Sequence, residues 1–251
     1  MSHIFVANWK MELSIAGSPA VAREVEAGVG GTRFTGEVIL CPSFPALSAV
    51  APALKKVFLG AQDCGWQEHG AFTGVVSAAQ LVEIHCRFVI VGHSERRRFC
   101  GETDELIGQK VHMAHAAGLT PILCVGETAQ ERRAGQRDIV LFRQVHRALE
   151  GIELSARTDR VLIAYEPVWV IGRGQAVEPD DISHAREVIT AALKERYGRD
   201  KIERAVRMLY GGSVDAGNIA AIVSGSGMDG VLVGSASLKA ANVLSMLSAM
   251  A

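Results

Sequence analysis

Eight short, nearly continuous apolar runs alternate along this chain with longer segments of helical period, and that alternation restricts the fold more than any other feature. The runs are Ile4–Trp9, Val38–Cys41, Val57–Ala61, Phe88–Gly92, Pro121–Val125, Val161–Tyr165, Val206–Tyr210 and Val231–Val233. Unbroken apolar character suits parallel strands buried on both faces. Between them, Asp180 to Tyr197 places Ile182, Ala185, Ile189 and Leu193 on one stripe, with Glu178 as N-cap, Pro179 at the first helical position and Gly198 as the stop. Leu106 to Ala117 repeats the pattern through Ile107, Val111 and Ala114 before Gly118. Strand–helix units repeated about eight times without a linker predict an α/β fold, a (β/α)₈ barrel spanning residues 1–251 as a single domain; a doubly wound sheet is the alternative produced by the same alternation.

The chain's 251 residues are 49% hydrophobic and carry a formal net charge of -1, so no global field favours nucleic acid or an anionic membrane. No apolar run approaches the length of a membrane span, and the opening MSHIFVANWK has no secretory apolar region. Cys41, Cys64, Cys86, Cys100 and Cys124 are scattered without metal-type spacing, which predicts free thiols and a cytoplasmic location.

A barrel builds its active site from the loops after its strands. The unusual polar residues fall there. Asn8 and Lys10 end the first run, two apart and so on one side of it, with Trp9 on the other. His93, Ser94 and Glu95 follow the fourth, Glu166 the sixth, Gly211-Gly212-Ser213 the seventh, and Gly234-Ser235 the eighth. Singly, each is a solvated charge, a turn residue or a hydrogen-bonded structural histidine; at the strand ends of one barrel they converge. A carboxylate, an imidazole and an ammonium together fit proton abstraction beside a carbonyl: base, donor to the developing enediolate oxygen, and stabiliser of its charge. The two Gly-Ser turns can present backbone N–H groups to a phosphate.

The stretch Pro167–Gly174 sets large apolar side chains beside two glycines in a loop and reads as a mobile lid, useful because a phosphate-bearing enediolate eliminates phosphate when water enters. Other patterns fail their context. Gly225–Gly230 matches the dinucleotide-binding spacing but precedes a strand instead of leading from one into a helix. His112 and His115 share a helix face without a further ligand, and Arg96-Arg97-Arg98 is short enough to be ion-paired.

The segments Ala7-Asn8-Trp9-Lys10-Met11, Gly70–Gly74, Gly92–Arg97, Ala164–Trp169, Tyr210–Val214 and Leu232-Val233-Gly234 resemble the triosephosphate isomerase family in order and spacing. The resemblance implies interconversion of glyceraldehyde 3-phosphate and dihydroxyacetone phosphate in glycolysis and gluconeogenesis. It implies Glu166 as base, His93 as neutral electrophile, Lys10 and Asn8 as substrate-binding groups, Glu95 as a supporting carboxylate, and Gly172, Ser213, Gly234 and Ser235 as phosphate-binding through backbone N–H groups. It implies no metal and no organic cofactor, and a homodimer in which the loop around Phe72 and Thr73 enters the partner subunit. The chain departs from the family pattern at four places. Ser235 stands for a usual glycine, Gln175-Ala176-Val177 for Lys-Thr-Ala at the far lid hinge, and Glu12-Leu13 for Asn-Gly. Val75 stands for a glutamate expected to face an arginine of the other subunit, here Arg96, for which Glu102 is the local substitute partner. Another phosphate-binding barrel enzyme, such as a Schiff-base aldolase using Lys10, and a non-catalytic binding protein on the same barrel remain as alternatives.

Overall fold

The computed structural model describes residues 3–154, 160–171 and 177–251. Eight parallel strands form a closed barrel: β1 (Ile4–Asn8), β2 (Glu37–Cys41), β3 (Phe58–Ala61), β4 (Phe88–Val91), β5 (Thr120–Val125), β6 (Val161–Tyr165), β7 (Val206–Tyr210) and β8 (Gly230–Val233). Each pairs with the next, and β8 closes on β1 through Ile4↔Gly230 to Ala7↔Val233. Every strand lies within about a residue of its expected position, and the closed sheet excludes the doubly wound alternative.

Side chains alternate across each strand, so the barrel has two apolar layers. Ile4, Val6, Ile39, Ile90, Ile122 and Leu162 fill the interior, whereas Phe5, Ala7, Val89, Val91 and Ile163 face the surrounding helices. That register matters for the site. The inward series Ile4, Val6 continues to Asn8, and Leu162, Ala164 continues to Glu166, so both polar groups are carried to the upper mouth by the alternation that buries the aliphatic residues below them.

Helix ends follow local chemistry. Pro179–Lys194 starts at the expected proline with Glu178 as N-cap, although the Glu178 side chain makes no capping hydrogen bond. It ends before Tyr197, and Gly198 proves to be the N-cap of a separate short helix, Arg199–Ala205. Asp104–Ala116 begins two residues earlier than the apolar stripe suggested, because the Thr103 hydroxyl accepts from the Leu106 N–H at 3.3 Å and caps the first turn. Gly225–Gly230 runs from the helix Ile219–Ser226 into β8, the reverse of a dinucleotide-binding turn. Among the described residues no helix is long and apolar enough to cross a membrane.

Candidate active site

At the C-terminal mouth of the barrel Asn8, Lys10, His93, Glu166, Ser213, Gly234 and Ser235 line one cavity of about 370 Å³. Of the described residues expected there, Glu95 alone does not line the cavity and reaches it through Lys10; Gly172, Gln175 and Ala176 lie outside the described residues.

Lys10 arrives by a different route than strand alternation. β1 stops at Asn8, and Lys10 has φ 49°, in the left-handed region that a lysine rarely occupies and that costs about 1–2 kcal/mol. The turn swings its ammonium over the mouth, where Nζ meets Glu95 Oε1 at 2.5 Å. Gly234 faces this stem: a Cβ there would stand 3.2 Å from Lys10 Cε, so a side chain would crowd the ammonium. Trp9, between the two polar residues, is fully buried in the outer layer.

His93 sits at the N-cap of the helix Ser94–Cys100, and its Nδ1 accepts from the Glu95 N–H at 3.2 Å. A ring nitrogen that accepts carries no proton, so this network assigns the neutral tautomer with its proton on Nε2. That nitrogen lies 3.1 Å from Glu166 Oε1, while the other Glu166 oxygen accepts from the Ser94 N–H at 2.9 Å. Glu166 is 2% exposed, with the donors of β4's loop on one side and Gly211 on the other. A Cβ on Gly211 would come within 2.9 Å of Glu166 Cγ, so glycine leaves the carboxylate room to swing toward the cavity. Burial and the Glu166 charge push the neighbouring Cys124 thiol well up, keeping it protonated and inert.

Beyond β7 and β8 the walls are backbone. Gly234 precedes a short 3₁₀ turn, Ser235–Leu238, whose first N–H groups have no partner inside the turn. Ser235 has no positive φ, so replacing a usual glycine there introduces no backbone strain and keeps the N–H.

The start of the expected lid differs from an exposed apolar loop. Val170 is fully buried and Trp169 half-buried. The Trp169 indole donates to Glu127 Oε1 at 2.8 Å, the Arg132 guanidinium lies 4.4 Å over its ring, and Ser213 Oγ donates to the Val170 carbonyl at 3.2 Å. These apolar residues anchor this end of the segment, and Ile171 beyond them lines the cavity.

Several polar residues of this end escaped the sequence reading. Glu127, two past β5, is fully buried beneath Tyr165, Trp169 and Arg132. Gln62, directly after β3, donates to the Lys10 and Cys41 carbonyls. Behind the mouth, Asp63 and Lys110 join Arg96 and Glu102: Arg96 reaches Glu102 at 2.6 Å and Asp63 at 2.9 Å, and Lys110 reaches Asp63 at 2.7 Å. Glu102 is the local partner expected for Arg96; Asp63 is a second. Gln62 and Glu127 stand within two residues of the ends of β3 and β5, the same strand-end signal that marks the other polar residues of the mouth.

A family model described as triosephosphate isomerase matches residues 3–250. The chain is 43% identical to a triosephosphate isomerase of Pelobacter propionicus over 98% of its own length and 97% of that protein's. With a triosephosphate isomerase of Symbiobacterium thermophilum it shares 45% identity over 94% and 91%. The crystal structure of triosephosphate isomerase from Bartonella henselae superposes with a TM-score of 0.88 at 33% identity, covering 99% of both chains.

Proposed function

The chain belongs to the triosephosphate isomerase family, and from that premise we propose that it interconverts D-glyceraldehyde 3-phosphate and dihydroxyacetone phosphate by proton transfer, with Glu166 as base. One observation supports the residue roles above the rest. A carboxylate and a neutral imidazole, from β6 and the β4 loop, touch at 3.1 Å on the wall of a single cavity shared with Lys10.

In this reading the substrate carbonyl oxygen takes the place of Glu166 at His93 Nε2–H. Glu166, released from Ser94 N–H, takes the proton from the adjacent carbon. The electron pair of that C–H bond becomes the enediolate double bond, and the charge that develops on oxygen is met by Nε2–H and the Lys10 ammonium. Glu166 then returns the proton to the neighbouring carbon; the former carbonyl oxygen takes the proton of His93 Nε2–H, and the original hydroxyl proton restores Nε2–H as its oxygen becomes the new carbonyl. A neutral histidine at a helix N-terminus is how this family is already known to work, and the Glu95 N–H to Nδ1 bond is its form here. Asn8 and Lys10 bind substrate, Glu95 holds the ammonium, and Gly172, Ser213, Gly234 and Ser235 offer backbone N–H groups to the phosphate. Neither metal nor organic cofactor enters this chemistry. The Schiff-base alternative is disfavoured by the Lys10–Glu95 ion pair, since a lysine nucleophile must be a free amine.

We further propose a cytoplasmic homodimer acting in glycolysis and gluconeogenesis. Met11 is 94% exposed, and Phe72 and Val75, at the tip of the loop after β3, are also exposed. Exposed apolar side chains on one loop fit insertion into a second copy. A coupled assay of purified protein tests the isomerase reading: rapid turnover in both directions, insensitive to chelator and to borohydride, is expected. Absence of turnover, or inactivation by borohydride only with substrate present, would overturn it.

A further inference from the structure

Lys10 and His85 are the described non-glycine residues with positive φ. A β-carbon in that region needs support from outside the turn. For Lys10 the support comes from two carboxamides, one on each side of its residue. Asn8 Oδ1 accepts the Lys10 N–H at 3.1 Å, and Gln62 Nε2 donates to the Lys10 carbonyl at 2.8 Å. The same Nε2 donates to the Cys41 carbonyl at 2.9 Å, an oxygen that also receives the Trp9 N–H at 3.1 Å. Both neighbours of the amide nitrogen are carbonyl oxygens, so its orientation is fixed by chemistry: the oxygen end could make neither bond.

Gln62 directly follows β3, Cys41 ends β2, and Lys10 lies two residues beyond β1. One carboxamide therefore ties the upper ends of three successive strands, and it does so at the peptide that aims the ammonium. We propose that Gln62 is a positioning residue for the reaction: it holds Lys10 in the left-handed turn that places Nζ against Glu95 and beside Gly234. Gln62 is not part of the cavity wall and acts only through Lys10. The inference rests on the reading of Lys10 as a substrate-binding group.

The requirement is for two donors at this reach. Gln62→Met keeps the length and loses both; Gln62→Glu keeps the shape and sets a charged acceptor against two carbonyls. Each should lower kcat/KM about 10- to 100-fold, through a raised KM more than a lowered kcat. A general loosening of the barrel would do the same, so the decisive measurement is a cycle with Lys10→Met. Gln62→Met should cost nothing further, within about twofold, once Lys10 is gone. The Kd of inorganic phosphate in the same four proteins gives the cycle a second reading where turnover is too slow, with about tenfold weakening expected only when Lys10 is present. Gln62→Glu takes the place of Gln62→Met in the cycle if the methionine variant does not fold. Wild-type KM in both Gln62 variants, or equal losses with and without Lys10, would overturn the proposal. An unsubstituted protein without isomerase turnover would instead sink the functional reading, and the phosphate cycle would still report on Lys10.

Discussion

Two polar clusters, each built around buried carboxylates, meet at the helix Ser94–Cys100, and they are built to different rules. The cluster behind it joins Arg96, Lys110, Asp63 and Glu102, two cations and two anions, with Lys110 bonded to both carboxylates and Arg96 likewise. The cluster in front joins Lys10 to Glu95 and His93 to Glu166, and every member except Glu95 also faces the cavity. In the closed cluster each charge is neutralised by neighbours that have nowhere to go. In the open one the partners are held by contacts a substrate can replace: an Nε2–H, an ammonium, a carboxylate with space beside it. Burial of charge alone does not mark a reactive site; burial with exchangeable partners does.

The sharpest way to break that distinction is to substitute one member of each. Glu166→Gln should lower kcat by at least about 10²–10⁴-fold with little change in substrate affinity or melting temperature, since the amide still fits but takes no proton. Steady-state kinetics with a thermal melt would show it, and near-wild-type turnover would remove Glu166 from the role. Lys110→Met should do the opposite. It leaves two carboxylates with side chains at most 9% exposed to share the single charge of Arg96 and should cost about 3–5 kcal/mol of stability by denaturant titration. Below the new melting temperature kcat should stay within about threefold of wild type. A large fall in kcat in the folded variant would mean that the closed cluster also takes part in catalysis.

The sequence announced the open cluster and hid the closed one for a physical reason. Asn8, His93 and Glu166 interrupt apolar runs at strand ends, and a barrel sends all strand ends to one place, so position alone marked them. Lys110 lies mid-helix on the stripe of Ile107, Val111 and Ala114, where a lysine reads as the edge of a solvated face. Only the packing of that helix over Asp63 reveals it as core. Strand alternation carries Asn8, but a left-handed turn carries Lys10, and a turn of that kind in a lysine has no sequence signature. Nothing local marks Trp169 and Val170 as anchored, because their partners, Glu127 and Ser213, are distant in sequence.

Acid titration separates neighbouring aspartates by sign. Burial pushes Asp104 up, but hydrogen bonds and charge from Arg97 and then Arg143 outweigh it and hold the carboxyl below its ordinary value of 3.8. Its folded form prefers the charged state, so its contribution to stability is present above pH 3.8 and is lost as pH falls below it. Asp63 runs the other way. Burial raises it, ahead of the opposing pull of Lys110, so its contribution declines as pH climbs past 3.8. Asp104→Asn should therefore flatten the acid limb of a stability–pH curve, whereas Asp63→Asn should not. An acid limb unchanged by Asp104→Asn would place the acid-sensitive pairs elsewhere.

The smallest expected effect concerns what lies outside the closed cluster. Val75 occupies a position where the family resemblance leads one to expect a glutamate facing Arg96 of a second subunit. Here Arg96 is already met by Glu102 through Nε and by Asp63 through Nη2, within its own chain. With Lys110 the four charges sum to zero, so the cluster has little net field to offer a partner. Val75 is 38% exposed and shares its loop with Phe72, so in the proposed dimer it would offer apolar contact. Dimerisation of the unsubstituted chain should accordingly vary less than about threefold in Kd across the salt range in which a charge-bridged interface weakens steadily. Val75→Glu should tighten the dimer at low salt by less than about tenfold, because its carboxylate competes with two others for one guanidinium, and should add a salt dependence that the valine lacks. Sedimentation of both proteins over a dilution series at low and high salt measures each quantity. A dimer that falls apart steeply with salt as valine and not as glutamate would show that Arg96 is not neutralised within its own subunit.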